Sequence, residues 1–259
     1  KVPVERIGYL TDLLTERAVA HISRRKQSRR PFFLSLNYTA PHWPWEGPED
    51  AQVSRTLKEF SAGGSLKVYA SMMKSLDDGI GKVLKALGEA RLERNTLVIF
   101  TSDNGGERFS YHWPFSGQKW DLLEGGIRVP AMVRWPGTVP ANRSTEQVAI
   151  TMDWTATILK AAQSEAAASH PLDGDDLLPV CQGRRAPFER TLFWRQRSNW
   201  DAVRRGQWKY LRNGEKEYLF DLSVDEREQA DFKESNPEMF RQLKSEFQRW
   251  DAQVLPRRK

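Results

Sequence analysis

The sequence predicts an α/β fold in which a mostly parallel sheet is flanked by helices and followed by a small C-terminal antiparallel sheet plus a helix. Three patterns carry that prediction. Two short apolar runs, PFFLSLNY (31–38) and TLVIFTS (96–102), read as buried strands. The amphipathic helix between them completes a strand–loop–helix–strand unit, whose right-handed crossover implies parallel pairing. Beyond residue 190 the runs TLFW, AVRRGQWKYL and EYLFDL are short and broken by turns, with a hairpin at Asn213-Gly214.

In chain order, residues 11–25 carry Leu13, Leu14, Ala18 and Ile22 at helical spacing. Thr11 or Asp12 is the candidate cap, and the arginines at the far end suit the helix dipole. Residues 39–64 form a Pro- and Gly-punctuated loop, longer than a connector needs to be, which marks it as functional or disordered. Leu66, Tyr69, Met73, Leu76, Ile80, Val83 and Leu87 then share one helical face. Asp77 and Asp78 flank that face and read as solvated. VPAMVRW (129–135) is a third strand, and 153–162 a helix with Asp153 near its start. Small and polar residues fill 163–179, and 237–250 is amphipathic, with Phe240, Leu243 and Phe247 aligned. The expected domains are therefore an α/β domain over 1–162, a linker over 163–190 and a C-terminal α+β subdomain over 191–259.

At 259 residues, 39% hydrophobic and 29% charged, the chain can bury a substantial core. No apolar stretch approaches the roughly 20 residues of a membrane-spanning helix, and no signal peptide is visible. A start on lysine suggests a chain cut from something longer. The net charge of +6 favours anionic partners. Its basic clusters, Arg24-Arg25-Lys26, Arg29-Arg30 and 257–259, lack the interleaved aromatics of a single-strand binder, so nucleic acid is not expected. Cys181 is the sole cysteine, which rules out an internal disulfide and a cysteine-rich metal site.

Four residues could carry chemistry. Asp103 and Asn104 offer oxygens where a strand ends, and Gly105-Gly106 lets backbone or ligand come close. Hard divalent cations take such oxygens, about six to eight of them at roughly 2.3–2.6 Å; an Asx turn ending the strand explains the same letters. His42, between Pro41 and Pro44 and beside Trp43 and Trp45, is either a placed acid–base group or a loop histidine packed among tryptophans. Lys119, bracketed by Gly117 and Gly125-Gly126, either faces an anion or is simply solvated. His112 and Arg108 follow the glycines and could line a pocket.

PFFLSLNYTAPHWPW, YASMMKSLDDGIGKVLKAL, NTLVIFTSDNGG, SGQKWDLLEGGIRVPAMVRWPG and ITMDWTATIL, in this order, resemble the sulfatase family. The tail, QWKYL through EYLFDLSVDEREQADF to NPEMFRQL, is similar to that family's C-terminal subdomain. The resemblance implies an alkaline-phosphatase-like fold hydrolysing sulfate esters, of sulfated glycans or aryl alcohols, at a Ca²⁺ site. It implies Asp103 and Asn104 as metal ligands, His42 at the leaving oxygen and Lys119 on a sulfate oxygen. Trp120 departs from the small residue common after that lysine. The family's formylglycine arises from Cys or Ser in C/S-x-P-x-R, which the sequence lacks, and Cys181 stands outside any such motif. An earlier Asp-Asp pair that completes the calcium shell is likewise missing. The expectation is a sulfatase portion that is inactive alone, with an N-terminal segment as its missing partner. A non-catalytic binder of sulfated glycans, or a phosphate-ester or phosphonate hydrolase of the same fold, are the alternatives.

Overall fold

The computed structural model describes residues 3–28, 30–50, 56–59, 61–196 and 199–256. Arg29 and residues 257–259, parts of two basic clusters, lie outside them. The chain divides into two compact units, Lys1–Thr96 and Leu97–Lys259.

In the first unit α1 (Leu10–Arg25) packs against α2 (Leu66–Glu89). The helix starts earlier than its predicted cap. Thr11 lies in the first turn and is buried, while Thr15 Oγ1 donates to Thr11 O at 2.8 Å, so these hydroxyls serve the helix interface. On α2 the buried stripe is Met72, Ser75, Leu76, Gly79, Ala86 and Leu87, whereas Leu66 and Met73 of the predicted face are exposed. Close approach explains the rotation. A Cβ on Gly79 would stand 2.5 Å from Thr15 Oγ1, so the interface selects small residues over large ones. Ser65 caps α2 by accepting from Val68 N at 3.2 Å.

Residues 31–38 belong to no helix or strand, and along them Phe32, Leu34, Leu36 and Tyr38 are half-buried while the alternate residues are exposed. Phe32 meets His21 of α1 edge-on at 5.5 Å, and Tyr38 Oη bonds Thr15 Oγ1 at 2.8 Å. They form no strand among the described residues, which corrects the prediction. The period-2 alternation is real, but an apolar run reads the same whether its backbone is paired or not.

The second unit holds two sheets. β1 (Val98–Thr101) and β2 (Ala131–Arg134) pair antiparallel, Thr101 opposite Ala131, with the short helix α3 (Glu124–Ile127) between them in sequence. Both strands fall where predicted, but the pairing is antiparallel, and no ladder among the described residues is parallel. Nor are they fully buried: β1 is half-covered throughout and Met132 is 59% exposed, since a two-stranded ribbon has little to cover its faces.

α4 (Asp153–Ala161) begins on a fully buried aspartate. Asp153 accepts from Ile150 N, Asp175 N and Arg190 Nη1 at 2.8, 2.9 and 2.7 Å, tying the segment after α4 back to its start. Within that segment α5 (Leu178–Cys181) buries Val180.

The C-terminal sheet is a four-stranded antiparallel meander: β3 (Thr191–Arg195), β4 (Trp200–Arg205), β5 (Trp208–Asn213) and β6 (Lys216–Asp221). The predicted hairpin is present, with Asn213 opposite Lys216 and Gly214 at φ +62°. Alternation gives the sheet two buried faces. Val203, Tyr210 and Leu219 pack on Leu243 and Phe247 of α6 (Pro237–Asp251). Ala202, Leu211 and Phe220 pack on Leu122, with Leu123 and Ile127 beside it. That second face carries the loop in which Lys119 stands.

Candidate functional site

β1 runs out at Thr101, and the next residues turn. Asp103 Oδ1 accepts from Asn104 N at 3.0 Å, one residue on and not the two of the Asx turn the sequence allowed. Asn104 donates Nδ2 to Gly105 O at 3.1 Å, which commits its nitrogen and leaves Oδ1 as the acceptor. Ser102 Oγ donates to Asn104 O at 3.1 Å and fixes the turn from the other side. Asp103 is exposed and Asn104 half-buried.

Backbone hydrogen bonds join this turn to the two loops beyond it. Gly105 N donates to Gly126 O at 2.8 Å, Gly125 N to Ser116 O at 2.7 Å and Lys119 N to Gly106 O at 2.8 Å. The glycines make that contact possible. A Cβ on Gly105 would lie 1.9 Å from Gly125 O, and one on Gly125 would lie 2.4 Å from Gly117 O. The DNGG turn, the lysine loop and α3 therefore touch backbone to backbone. Asp103, Asn104 and Lys119 are brought together in this sense: one glycine carbonyl separates the acid–amide turn from the main chain of the lysine.

The Lys119 side chain is 12% exposed, and its ammonium stands 3.8 Å from Glu107 Oε2. A partly dehydrated cation with a carboxylate at that range can trade it for a better-placed anion, because Coulomb energies rise as water is excluded. His112 lies on the same turn; a Cβ on Gly106 would meet its buried Nε2 at 2.7 Å, and that nitrogen has no hydrogen-bond partner among the described residues. Arg108 instead lies over the Phe109 ring at 4.7 Å.

Beneath the site is an ionic cluster that sequence reasoning missed. Glu124, at the start of α3, is 1% exposed; its carboxylate accepts from Lys209 Nζ at 2.9 Å and Arg204 Nη1 at 3.0 Å. Lys209 is fully buried and also lies 2.7 Å from Glu228 Oε1, while Glu228 Oε2 accepts from Glu124 N at 2.6 Å. Burial pushes the Glu124 carboxyl up, but Lys209 and Arg204 outweigh it and hold it below the ordinary range. Glu228 ends above that range: burial dominates, and the nearby Glu124 charge adds to it. The signal was available in the strand alternation, which puts Lys209 on the same inward face as Leu211.

His42 belongs to the first unit. Its Nδ1 donates to Trp43 O at 2.7 Å, its N donates to Thr39 O at 2.8 Å, and its ring lies 4.6 Å from that of Trp43. A carbonyl can only accept, so Nδ1 carries the proton in this contact. The side chain is exposed, and the peptide bonds before Pro41 and Pro44 are both cis.

The sulfatase family profile matches residues 3–164. The chain belongs to the sulfatase family. An N-acetylgalactosamine-6-sulfatase of Canis lupus familiaris is 34% identical over 206 residues, covering 77% of this chain and 38% of that protein. An N-acetylgalactosamine-6-O-sulfatase of Bacteroides thetaiotaomicron is 28% identical over 287 residues, 93% of this chain and 53% of its own. Among solved structures, Ps i-CgsB in complex with k-i-k-neocarrahexaose superposes with a TM-score of 0.84 at 28% identity, over 95% of this chain and 56% of that one. The resemblance read in the sequence thus holds, and the structural neighbours are sulfatases of the alkaline-phosphatase-like fold. This sulfatase chain spans between about a third and somewhat more than half of these relatives, from 38% to 56% of their lengths.

Two oxygens of the Asp103-Asn104 turn are of the kind a hard divalent cation such as calcium takes. With Asp103 Oδ1 and Asn104 Nδ2 engaged within the turn, Asp103 Oδ2 and Asn104 Oδ1 are hard acceptors on adjacent residues. They fit part of a shell. No cluster of three or more His, Cys, Asp or Glu able to hold a metal occurs among the described residues. Nor is any described helix long and apolar enough to cross a membrane.

Proposed function

We propose that this chain carries the sulfate- and calcium-binding part of a sulfate-ester hydrolase, and that its own residues do not complete the covalent cycle. The reading is carried by one observation: the hydrogen bond from Lys119 N to Gly106 O, which holds a mostly buried lysine against the Asp103-Asn104 turn. Family membership supplies the chemistry, and the relatives' names point to sulfate rather than phosphate.

Asp103 and Asn104 are the residues that would hold Ca²⁺, which when bound supplies positive charge opposite the sulfuryl oxygens. Lys119 binds one of those oxygens, exchanging its Glu107 contact for the substrate anion. For His42, whose Nδ1 is anchored on Trp43 O, the family resemblance implies the role of proton donor to the departing alkoxide, a step typically worth about 10²–10⁴ in rate. The nucleophile is outside this set. No C/S-x-P-x-R occurs in the 259 residues, and Cys181 sits in α5 with burial and Asp176 raising its thiol above the ordinary value.

The test is an assay of the full chain with an activated aryl sulfate and Ca²⁺. No turnover is expected. Turnover that disappears in both Lys119→Ala and His42→Ala would overturn the claim that the covalent step lies elsewhere. Salt-sensitive binding of sulfated glycan without hydrolysis is expected alike of a pure binder and of an enzyme portion awaiting its nucleophile.

A further inference from the structure

Trp120, next to the site lysine, breaks two rules at once. Asp121 N donates to Gln118 O at 2.9 Å, closing a turn in which Trp120 is the third residue with φ +84°. That place in a type II turn belongs to glycine, because a Cβ there is strained. The indole is also 70% exposed, so core packing offers no compensation for the strain. Scattered exposed apolar residues are ordinary, but an exposed one held in strained backbone is not.

The surroundings hold it there. Gln196 Nε2 donates to Trp120 O at 2.8 Å, Gln118 N donates to Asp121 Oδ2 at 2.9 Å, and Lys119 N is fixed on Gly106 O. The indole centroid lies 5.5 Å from Lys119 Nζ. An anion drawn to that ammonium therefore brings whatever it is esterified to alongside a bare aromatic face. We propose that Trp120 is a specificity-determining platform for the ring that bears the sulfate. The inference rests on the reading of Lys119 as the sulfate-binding lysine. It selects ring-borne esters, pyranose or aryl, over acyclic sulfates, since only a ring can cover the indole while its sulfate stays on the lysine.

Calorimetric titration of the full chain with inorganic sulfate, methyl sulfate, phenyl sulfate and galactose 6-sulfate tests this, using wild type, Trp120→Gly and Lys119→Ala. Wild type should bind at least one ring-borne sulfate about tenfold or more tighter than methyl sulfate. Which of the two is favoured identifies the ring. Trp120→Gly should erase that preference, leave inorganic sulfate affinity within about twofold, and melt no lower than wild type because the strained φ is relieved. A ring preference that survives Trp120→Gly overturns the platform and leaves the lysine site standing. Loss of inorganic sulfate along with the ring preference also overturns it, by making Trp120 a support for Lys119. Sulfate affinity unchanged in Lys119→Ala, or absent in wild type, overturns the site reading itself.

Discussion

The second unit contains two antiparallel sheets that keep their places by different means. The four-stranded sheet is covered on both faces, by α6 on one and by Leu122 and its neighbours on the other, and Ala202, Val203 and Leu219 are fully buried. The β1–β2 ribbon has half-buried and exposed residues only, yet it ends in the candidate site. Its order comes instead from glycine-to-glycine backbone contacts and from a cluster shared with the larger sheet, where Lys209 and Arg204 reach Glu124. The candidate site thus sits on the thinly covered ribbon, with a well-packed sheet as its support.

Lys209→Met should break that arrangement most severely. Removing one partner from a buried ionic cluster typically costs about 3–5 kcal/mol, because the remaining charges stay buried. Urea unfolding should show that loss, and neutralising both Glu124 and Glu228 to Gln in the same variant should recover much of it. An unchanged midpoint would mean that the larger sheet does not carry the site loop.

Gly105→Ala tests the backbone contacts. Its methyl would enter the 1.9 Å gap to Gly125 O, so overpacking of about 1–3 kcal/mol and weakened sulfate binding are expected. Gly214→Ala is the contrasting variant: nothing lies within 4 Å of its Cβ, and only its φ of +62° resists. About 1–2 kcal/mol for the left-handed backbone, with sulfate binding untouched, is the expected result.

Glu124 and Glu228 surround one ammonium but give opposite pH dependences. Glu124 is held below its ordinary value of 4.5, so its contribution is present above that pH and lost as pH falls through the lower folded value. Glu228 is raised above 4.5, so its contribution is present below that pH and lost as pH rises through the higher folded value. Melting temperatures across pH should therefore lose part of their acid-side slope in Glu124→Gln, the rest remaining with Glu217 and Asp231, and part of their slope above pH 4.5 in Glu228→Gln. The smallest effect belongs to Glu107→Gln. Freed of its 3.8 Å carboxylate, Lys119 should bind sulfate a few-fold more tightly, in the range typical of partly exposed ion pairs.

Legibility in the sequence followed the range of the interaction. The NG hairpin and the α6 face of Leu243 and Phe247 depend on near neighbours, and they were readable. The stripe on α2 was displaced because Gly79 meets Thr15, a contact between helices that periodicity alone does not encode. Strand partners were misjudged for the same reason: 98–101 reads as β structure, but nothing in those residues names 131–134 as an antiparallel neighbour. At the site, DNGG and the lysine loop were legible as motifs, whereas Glu124, Lys209 and Glu228 lie up to 104 residues apart and meet only through the fold. Glu107 was overlooked although it follows the glycines directly.

The most direct test of the central claim, that Lys119 and the Asp103-Asn104 turn form one ion-binding site, is a sulfate titration with and without Ca²⁺. The account predicts that Ca²⁺ tightens sulfate binding in the wild-type chain, that Asn104→Ala abolishes this coupling, and that Lys119→Ala weakens sulfate about tenfold or more. Sulfate affinity indifferent both to Ca²⁺ and to loss of the Lys119 ammonium would contradict it.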